Sequence, residues 1–134
     1  MTEEKMLELA KKIINEKEGF IKYNNMQVLE VTKEHSKMKV DLNENSLNPN
    51  GVVHGGLLFG LADTAMGVVA RTTNKNVTTI NAQIDYLKPG TGNVITCIAE
   101  PIKIGKTTGV YRAHLYNEEE TLISTVTGTF LFID

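Results

Sequence analysis

The spacing of apolar residues changes character along the chain, and each change marks an element. Over residues 2–18, Met6, Leu9, Ala10, Ile13 and Ile14 recur at steps of three and four. That is the period of an amphipathic surface helix, with Thr2 as its cap and Gly19 as its stop. In residues 27–33 and 36–42 the apolar positions Val28 or Leu29, Val31, Met38, Val40 and Leu42 alternate loosely with polar ones, which predicts a pair of strands. Residues 43–51 are polar and turn-forming, with Asn43, Asn45, Asn48, Asn50, Pro49 and Gly51. Residues 55–71 are apolar on nearly every face, so the helix they form must be surrounded. Period-two alternation follows, setting Ile80, Ala82, Ile84 and Tyr86 against Thr79, Asn81, Gln83 and Asp85, and ends at Pro89-Gly90. Three further strands are expected over 94–103, 107–116 and 121–133, joined by hairpin-length breaks at Gly105 and Asn117 that make neighbours antiparallel. The layout predicts an α+β domain spanning 1–134. An antiparallel sheet of about six strands curls around one long central helix, with an N-terminal helix outside.

Composition narrows the partners. A length of 134 residues suits one domain, and 41% hydrophobic with 22% charged residues describes a chain able to bury a core. Fourteen Lys and Arg against sixteen Asp and Glu leave a net charge of −2, with no basic surplus for a phosphate backbone, so nucleic acid is not an expected partner. Cys97 is the lone cysteine and cannot form an internal disulfide; with His35, His54 and His114 it offers no metal-ligand spacing, so no metal is expected. The N-terminal residues lack the continuous apolar stretch of a signal peptide, and residues 55–71, about 17 with polar interruptions, stand at the short edge of a bilayer crossing and among strand signals, which favours a helix wrapped by its own sheet. A cytoplasmic location, away from membranes, follows as an expectation.

Within the apolar helix one residue is out of place. Asp63 is flanked by Leu61, Ala62, Ala65 and Met66, and a carboxylate there costs several kcal/mol unless it is paired, hydrogen-bonded or beside a wet cavity. By itself such a residue is as readily structural as functional. Its neighbourhood, however, reads Asn48-Pro49-Asn50-Gly51-Val52-Val53-His54-Gly55-Gly56, with Asp63 nine residues after His54. Asn48, Gly51, His54, Gly55, Gly56 and Asp63 together resemble the pattern of the hotdog-fold acyl-CoA thioesterases of the PaaI-like thioesterase superfamily. The resemblance extends through Tyr86-Leu87-Lys88-Pro89-Gly90 and the Gly105-Lys106 turn, covering roughly residues 20–134.

That resemblance implies a hotdog fold and hydrolysis of an acyl- or aryl-CoA thioester to free acid and CoA, with the thioester as substrate and no cofactor. It implies Asp63 as general base or nucleophile, and Asn48 as holder of the attacking water or the carbonyl. His54 would order the loop and polarise the thioester, and Thr79, or less so Thr78, would assist the acid. Gly55 and Gly56 open the helix, where amide N–H groups lack partners and the dipole end is positive; the resemblance makes the Gly55 N–H the oxyanion donor and Gly56 a substrate contact. Lys88, Lys103 and Lys106, with Arg71 behind them, are candidates for the CoA phosphates, although surface lysines are commonly just solvated. Phe59, Met66 and Tyr86 suit an acyl pocket or the core equally, while packing accounts for Cys97, Arg112 and His114.

Helix geometry adds an argument of its own. If the helix starts near His54, nine residues at about 100° each put Asp63 about 180° from His54 and about 13 Å further along the axis. One chain's Asp63 then cannot easily serve its own His54, and a shared site needs a second chain related by a two-fold axis. The resemblance agrees, implying dimers joined sheet edge to sheet edge that pair into tetramers. Two other readings compete: a non-catalytic acyl-CoA binding or sensing module on the same fold, and a hotdog dehydratase or hydratase, whose His context this sequence lacks.

Overall fold

The computed structural model describes residues 1–133. The alternating stretches pair into one six-stranded sheet: β1 (Met26–Val31), β2 (Ser36–Asp41), β3 (Asn76–Tyr86), β4 (Val94–Ile104), β5 (Thr108–Tyr116) and β6 (Leu122–Ile133). Its order is β1-β2-β4-β5-β6-β3, and every adjacent pair is antiparallel. The inner face carries Met38 and Val40 of β2, Ile95, Cys97 and Ala99 of β4, Tyr111, Ala113 and Leu115 of β5, and Ile123, Val126 and Phe130 of β6, all buried. Against them lies the central helix, α3 (Gly55–Ala70), burying Leu58, Leu61, Ala62, Ala65, Met66 and Val69. Ser36 Oγ donates to the Ala65 carbonyl at 2.6 Å and fixes the helix on β2. This sheet wrapped on a helix is the hotdog architecture. No described helix is long and apolar enough to cross a membrane.

Three local expectations need correction. The N-terminal helix does not run to residue 18. Thr2 caps α1 (Glu3–Ala10), accepting from the Lys5 N–H, but the next turn widens to a π-helix over Lys11–Asn15 and ends there. Asn15 stops it by turning its amide to β1, where Oδ1 accepts from the Val28 N–H at 2.8 Å. Gly19, at φ +148°, instead precedes a short helix absent from the sequence reading, α2 (Phe20–Tyr23).

The central helix is also less enclosed than its composition predicts. A stripe of Gly55, Phe59, Gly60, Asp63 and Thr64 stays half-buried, and Gly56 is exposed. One sheet wraps one side of a helix; the other side is left open. Asp63 is therefore half-buried on the open side of the helix and hydrogen-bonded there, not enclosed by apolar neighbours.

The third correction concerns β3. Thr79 pairs with Phe130 and Asn81 with Thr129, so Ile80 is an extra residue, a bulge in the ladder. Residues opposite one another share a face, and an extra residue exchanges the faces beyond it. Thr79 thus points inward with buried Phe130, as Ala82 does with Gly128. Ile80, expected to share a face with Ala82, is instead unpaired and 54% exposed.

Candidate active site

The loop before α3 is built by its asparagines. Asn43 accepts from the Asn45 N–H and forms a capping box with Ser46, and Asn48 Oδ1 accepts from the N–H groups of Asn50 at 2.9 Å and Val52 at 3.3 Å. The Asn48 main chain adds two more bonds, its N–H to the Val52 carbonyl and its carbonyl to the Gly51 N–H. Asn48 Oδ1 is thus committed to the turn, and its side-chain amide NH2 is what remains to meet a ligand.

His54 is the N-cap of α3. Its Nδ1 accepts from the Gly56 N–H at 2.8 Å, which places the ring proton of the neutral imidazole on Nε2. The His54 carbonyl takes the Leu57 and Leu58 N–H groups. Among the described residues this leaves the Gly55 N–H without an acceptor at the positive end of a 16-residue helix. Tyr86 reaches across from β3 and donates its hydroxyl to the Gly55 carbonyl at 2.8 Å. A Cβ on Gly55 would stand 2.8 Å from that hydroxyl and 2.9 Å from the ring, so only glycine admits this approach. Burial raises the Tyr86 pKa above the ordinary phenol value, which keeps the donor protonated.

Further along the same helix, Asp63 receives a hydrogen bond of 2.6 Å from Thr79 Oγ1. The bulge at Ile80 makes this possible, because it turns Thr79 toward the helix. The other carboxylate oxygen has no hydrogen-bond donor among the described residues. Thr78, paired with Leu131, is exposed and lies on the opposite face.

Two groups of candidate residues therefore lie apart within one chain. Asn48, His54, Gly55, Gly56 and Tyr86 gather at the start of α3, whereas Asp63 and Thr79 meet two turns later. Gly55 and Asp63 are eight residues apart, about 12 Å of helical rise. The lysines divide likewise: Lys88 follows the Tyr86 end of β3, and Lys103 and Lys106 flank the β4–β5 turn. Lys75, just before β3, donates to the Lys106 carbonyl at 3.5 Å and sits 5.6 Å from the centre of the Phe132 ring. Eleven residues of β3, roughly 36 Å at about 3.3 Å each, separate the two ends. Lys75 and the Tyr86–Gly55 bond were not singled out from sequence, because both depend on where β3 lies against its neighbours. Arg71 donates back to the Gly67 carbonyl at 3.3 Å.

Among known proteins, the family described as "Thioesterase superfamily" matches residues 50–124, a span running from the loop through the start of β6. The acyl-coenzyme A thioesterase PaaI of Escherichia coli (strain K12) is 34% identical over 83 residues, covering 61% of this chain and 59% of that protein. The structure of the E. coli PaaI protein from the phenylacetic acid degradation operon superposes with a TM-score of 0.91 at 22% identity, over 99% of this chain and 97% of that one. A protein of Streptococcus pneumoniae TIGR4, described as a hypothetical thioesterase with coenzyme A, is 29% identical with a TM-score of 0.78, over 82% of this chain and 90% of its own. That protein was also solved as two single mutants. One replaces an aspartate and the other a threonine sixteen positions later, the separation of Asp63 and Thr79 here.

Proposed function

The chain belongs to the thioesterase superfamily, and from that premise we propose that it hydrolyses acyl- or aryl-CoA thioesters to the free acid and CoA, at a site completed by a second copy of itself. The observation carrying this reading is the 2.6 Å bond from Thr79 to Asp63 on the open stripe of the helix. It holds a carboxylate in one orientation with its second oxygen free, as a general base or a nucleophile requires. The E. coli relative named as an acyl-coenzyme A thioesterase, and the pneumococcal structure with coenzyme A, support the substrate class.

As general base, Asp63 takes a proton from water while the water oxygen bonds to the thioester carbon. The tetrahedral oxyanion is met by the Gly55 N–H, and its collapse expels the CoA thiolate, which is then protonated. As nucleophile, the carboxylate oxygen itself forms that bond, collapse breaks the C–S bond and expels the CoA thiolate to leave an anhydride, and water hydrolyses the anhydride to the free acid and the regenerated Asp63 carboxylate. In either course the Nε2–H of His54 and the side-chain amide of Asn48 are donors at the helix start.

A single thioester carbonyl cannot touch Gly55 and Asp63 of one chain across about 12 Å. Two copies remove the difficulty. β3 is an edge strand, and its Ile80 and Tyr86 and the adjoining Leu87 are all more than half exposed. Antiparallel pairing of two β3 edges about a two-fold axis brings Asp63 and Thr79 of one copy toward the helix start of the other. The same operation draws Lys103 and Lys106 of one copy toward Lys88 of the other, where they serve the CoA phosphates. Such dimers pair into a tetramer.

Thiol release from a panel of acyl- and aryl-CoA esters tests the activity. Wild type should turn over at least one ester, and Asp63→Ala none at matched oligomeric state. Binding without turnover in wild type would refute the hydrolase and favour a sensing module. Mixing tests the shared site. Asp63→Ala and the double variant Gly55→Pro/Tyr86→Ala should each be inactive, and their equal mixture after subunit exchange should recover about one quarter of wild-type activity, since half the dimers are mixed and each holds one intact site. No recovery despite exchange would refute sharing.

A further inference from the structure

Asp63 lies on the half-buried stripe of α3, between two unlike neighbours. Viewed down α3 at about 100° per residue, Gly55 stands about 80° to one side of Asp63 and Gly60 about 60° to the other. The Gly55 side is walled by β3, through Tyr86 and Thr79. On the Gly60 side stands Phe20 of α2. A Cβ added to Gly60 would lie 3.1 Å from Phe20 Cε2 and 3.2 Å from Cζ, with the Met26 methyl at 3.7 Å. The ring is thus seated on bare helix backbone, yet Phe20 remains 59% exposed. Most exposed phenylalanines need no explanation, but this one stands one turn, about 4.5 Å of rise, from the candidate catalytic carboxylate.

The surroundings of Asp63 also differ along the helix. Toward the start of the helix from Asp63 come Gly60, Phe59 and the Phe20 ring, all apolar. Toward its end come Arg71, whose Nη1 lies 3.2 Å from where a Cβ on Gly67 would be, and then Lys75 beside Lys106. A CoA ester is polarised in the same way, with phosphates on one side of the thioester and an acyl chain on the other. With the thioester at Asp63, its acyl chain is directed along the apolar half toward Phe20.

We propose that the Phe20 ring, seated on Gly60 one turn before Asp63, is the wall against which the acyl chain ends, and so sets the acyl length the enzyme prefers. The inference rests on the hydrolase reading above and adds its specificity determinant. Phe20 contributes no group to the bond-making step. Its removal therefore opens the space over Gly60 to longer chains without altering the chemistry on short ones.

The test is kcat/KM across straight-chain acyl-CoA esters from acetyl to palmitoyl, for wild type, Phe20→Ala, Phe20→Leu and Gly60→Ala. Phe20→Ala should raise the ratio of kcat/KM for dodecanoyl over butanoyl esters by about tenfold or more, through KM, with butanoyl turnover held within about twofold. Phe20→Leu should fall between, and it stands in should the alanine variant fold poorly. Gly60→Ala crowds the ring and should shift preference toward shorter chains, an effect abolished in Phe20→Ala/Gly60→Ala. A ratio unchanged in Phe20→Ala or Phe20→Leu, or an equal loss on every ester, overturns the proposal while leaving the hydrolase intact. Absence of turnover by wild type on every ester overturns the hydrolase reading itself.

Discussion

Replacing Thr79 with valine removes one hydroxyl and keeps the branched shape that suits a strand. What is lost is a 2.6 Å hydrogen bond to the Asp63 carboxylate. Bonds to charged groups contribute about 1.5–3 kcal/mol, and because Thr79 is exposed the lower end applies. At about 1.4 kcal/mol per factor of ten, kcat should fall by roughly tenfold. KM should stay within about threefold, because Thr79 positions the carboxylate and does not hold the CoA moiety. Tm should fall as well, by up to about 4–7 °C, because the same bond is lost from the folded state. Thr79→Ser, which keeps the hydroxyl, should restore most of the rate. Thr78→Val should have no effect, since that residue faces the other side of the sheet. The assay is steady-state thiol release on the best ester, with thermal melts and oligomeric state verified for each variant. If Thr79→Val keeps kcat within twofold, or if Thr78→Val loses as much, the bond is not part of the chemistry and the inward turn of Thr79 is only structural.

Three further outcomes follow from other contacts. Tyr86→Phe deletes the bond to the Gly55 carbonyl, worth about 1 kcal/mol, and should lower Tm by about 3–5 °C in a thermal melt, with a matching loss of kcat if the Gly55 amide is the oxyanion donor proposed above. Glu30 has its pKa lowered, first by the hydrogen bond from His35, against desolvation and with help from Lys37. Its bonded carboxylate therefore stabilises the fold above the ordinary glutamate range, and that increment is lost as pH falls through the lowered value, so the Tm gap between wild type and Glu30→Gln should be small near neutrality and vanish in acid. Cys97 is fully buried and burial raises its thiol pKa, so Ellman's reagent should find no protein thiol in the native state and one per chain in denaturant; a native signal would refute the packing of β4.

The sheet and its central helix were legible because strands and helices carry their own periods, and a uniformly apolar helix has to find a sheet. What the sequence could not convey were departures from period. Nothing in the alternation from Val77 to Tyr86 announces that Ile80 stands outside the ladder; the bulge follows from fitting β3 to β6, and it decides which threonine meets Asp63. The open stripe of α3 was hidden for a related reason. Glycines at 55, 56 and 60 count as neutral in an apolar tally, yet they are where Tyr86, His54 and Phe20 come to rest. Asn48 was read for its chemistry, whereas its oxygen is engaged by the loop it shapes. The helix-wheel argument separating His54 from Asp63 needed only the helix start, and the His54 cap supplies it.

The sheet is open at both ends, at β1 and at β3, and an open sheet is a template on which strands can add without limit, the geometry of a growing fibre. Both terminal strands are irregular in the same manner: β1 slips between Val28 and Glu30, and β3 between Thr79 and Asn81. At the β1 edge a straight incoming strand matches the hydrogen-bonding groups on one side of such a kink and misses those on the other, whereas the β3 edge is the one the proposed dimer covers with an identical, equally kinked strand. With β3 capped by its two-fold mate and β1 guarded by its slip, the sheet has nowhere to go on growing.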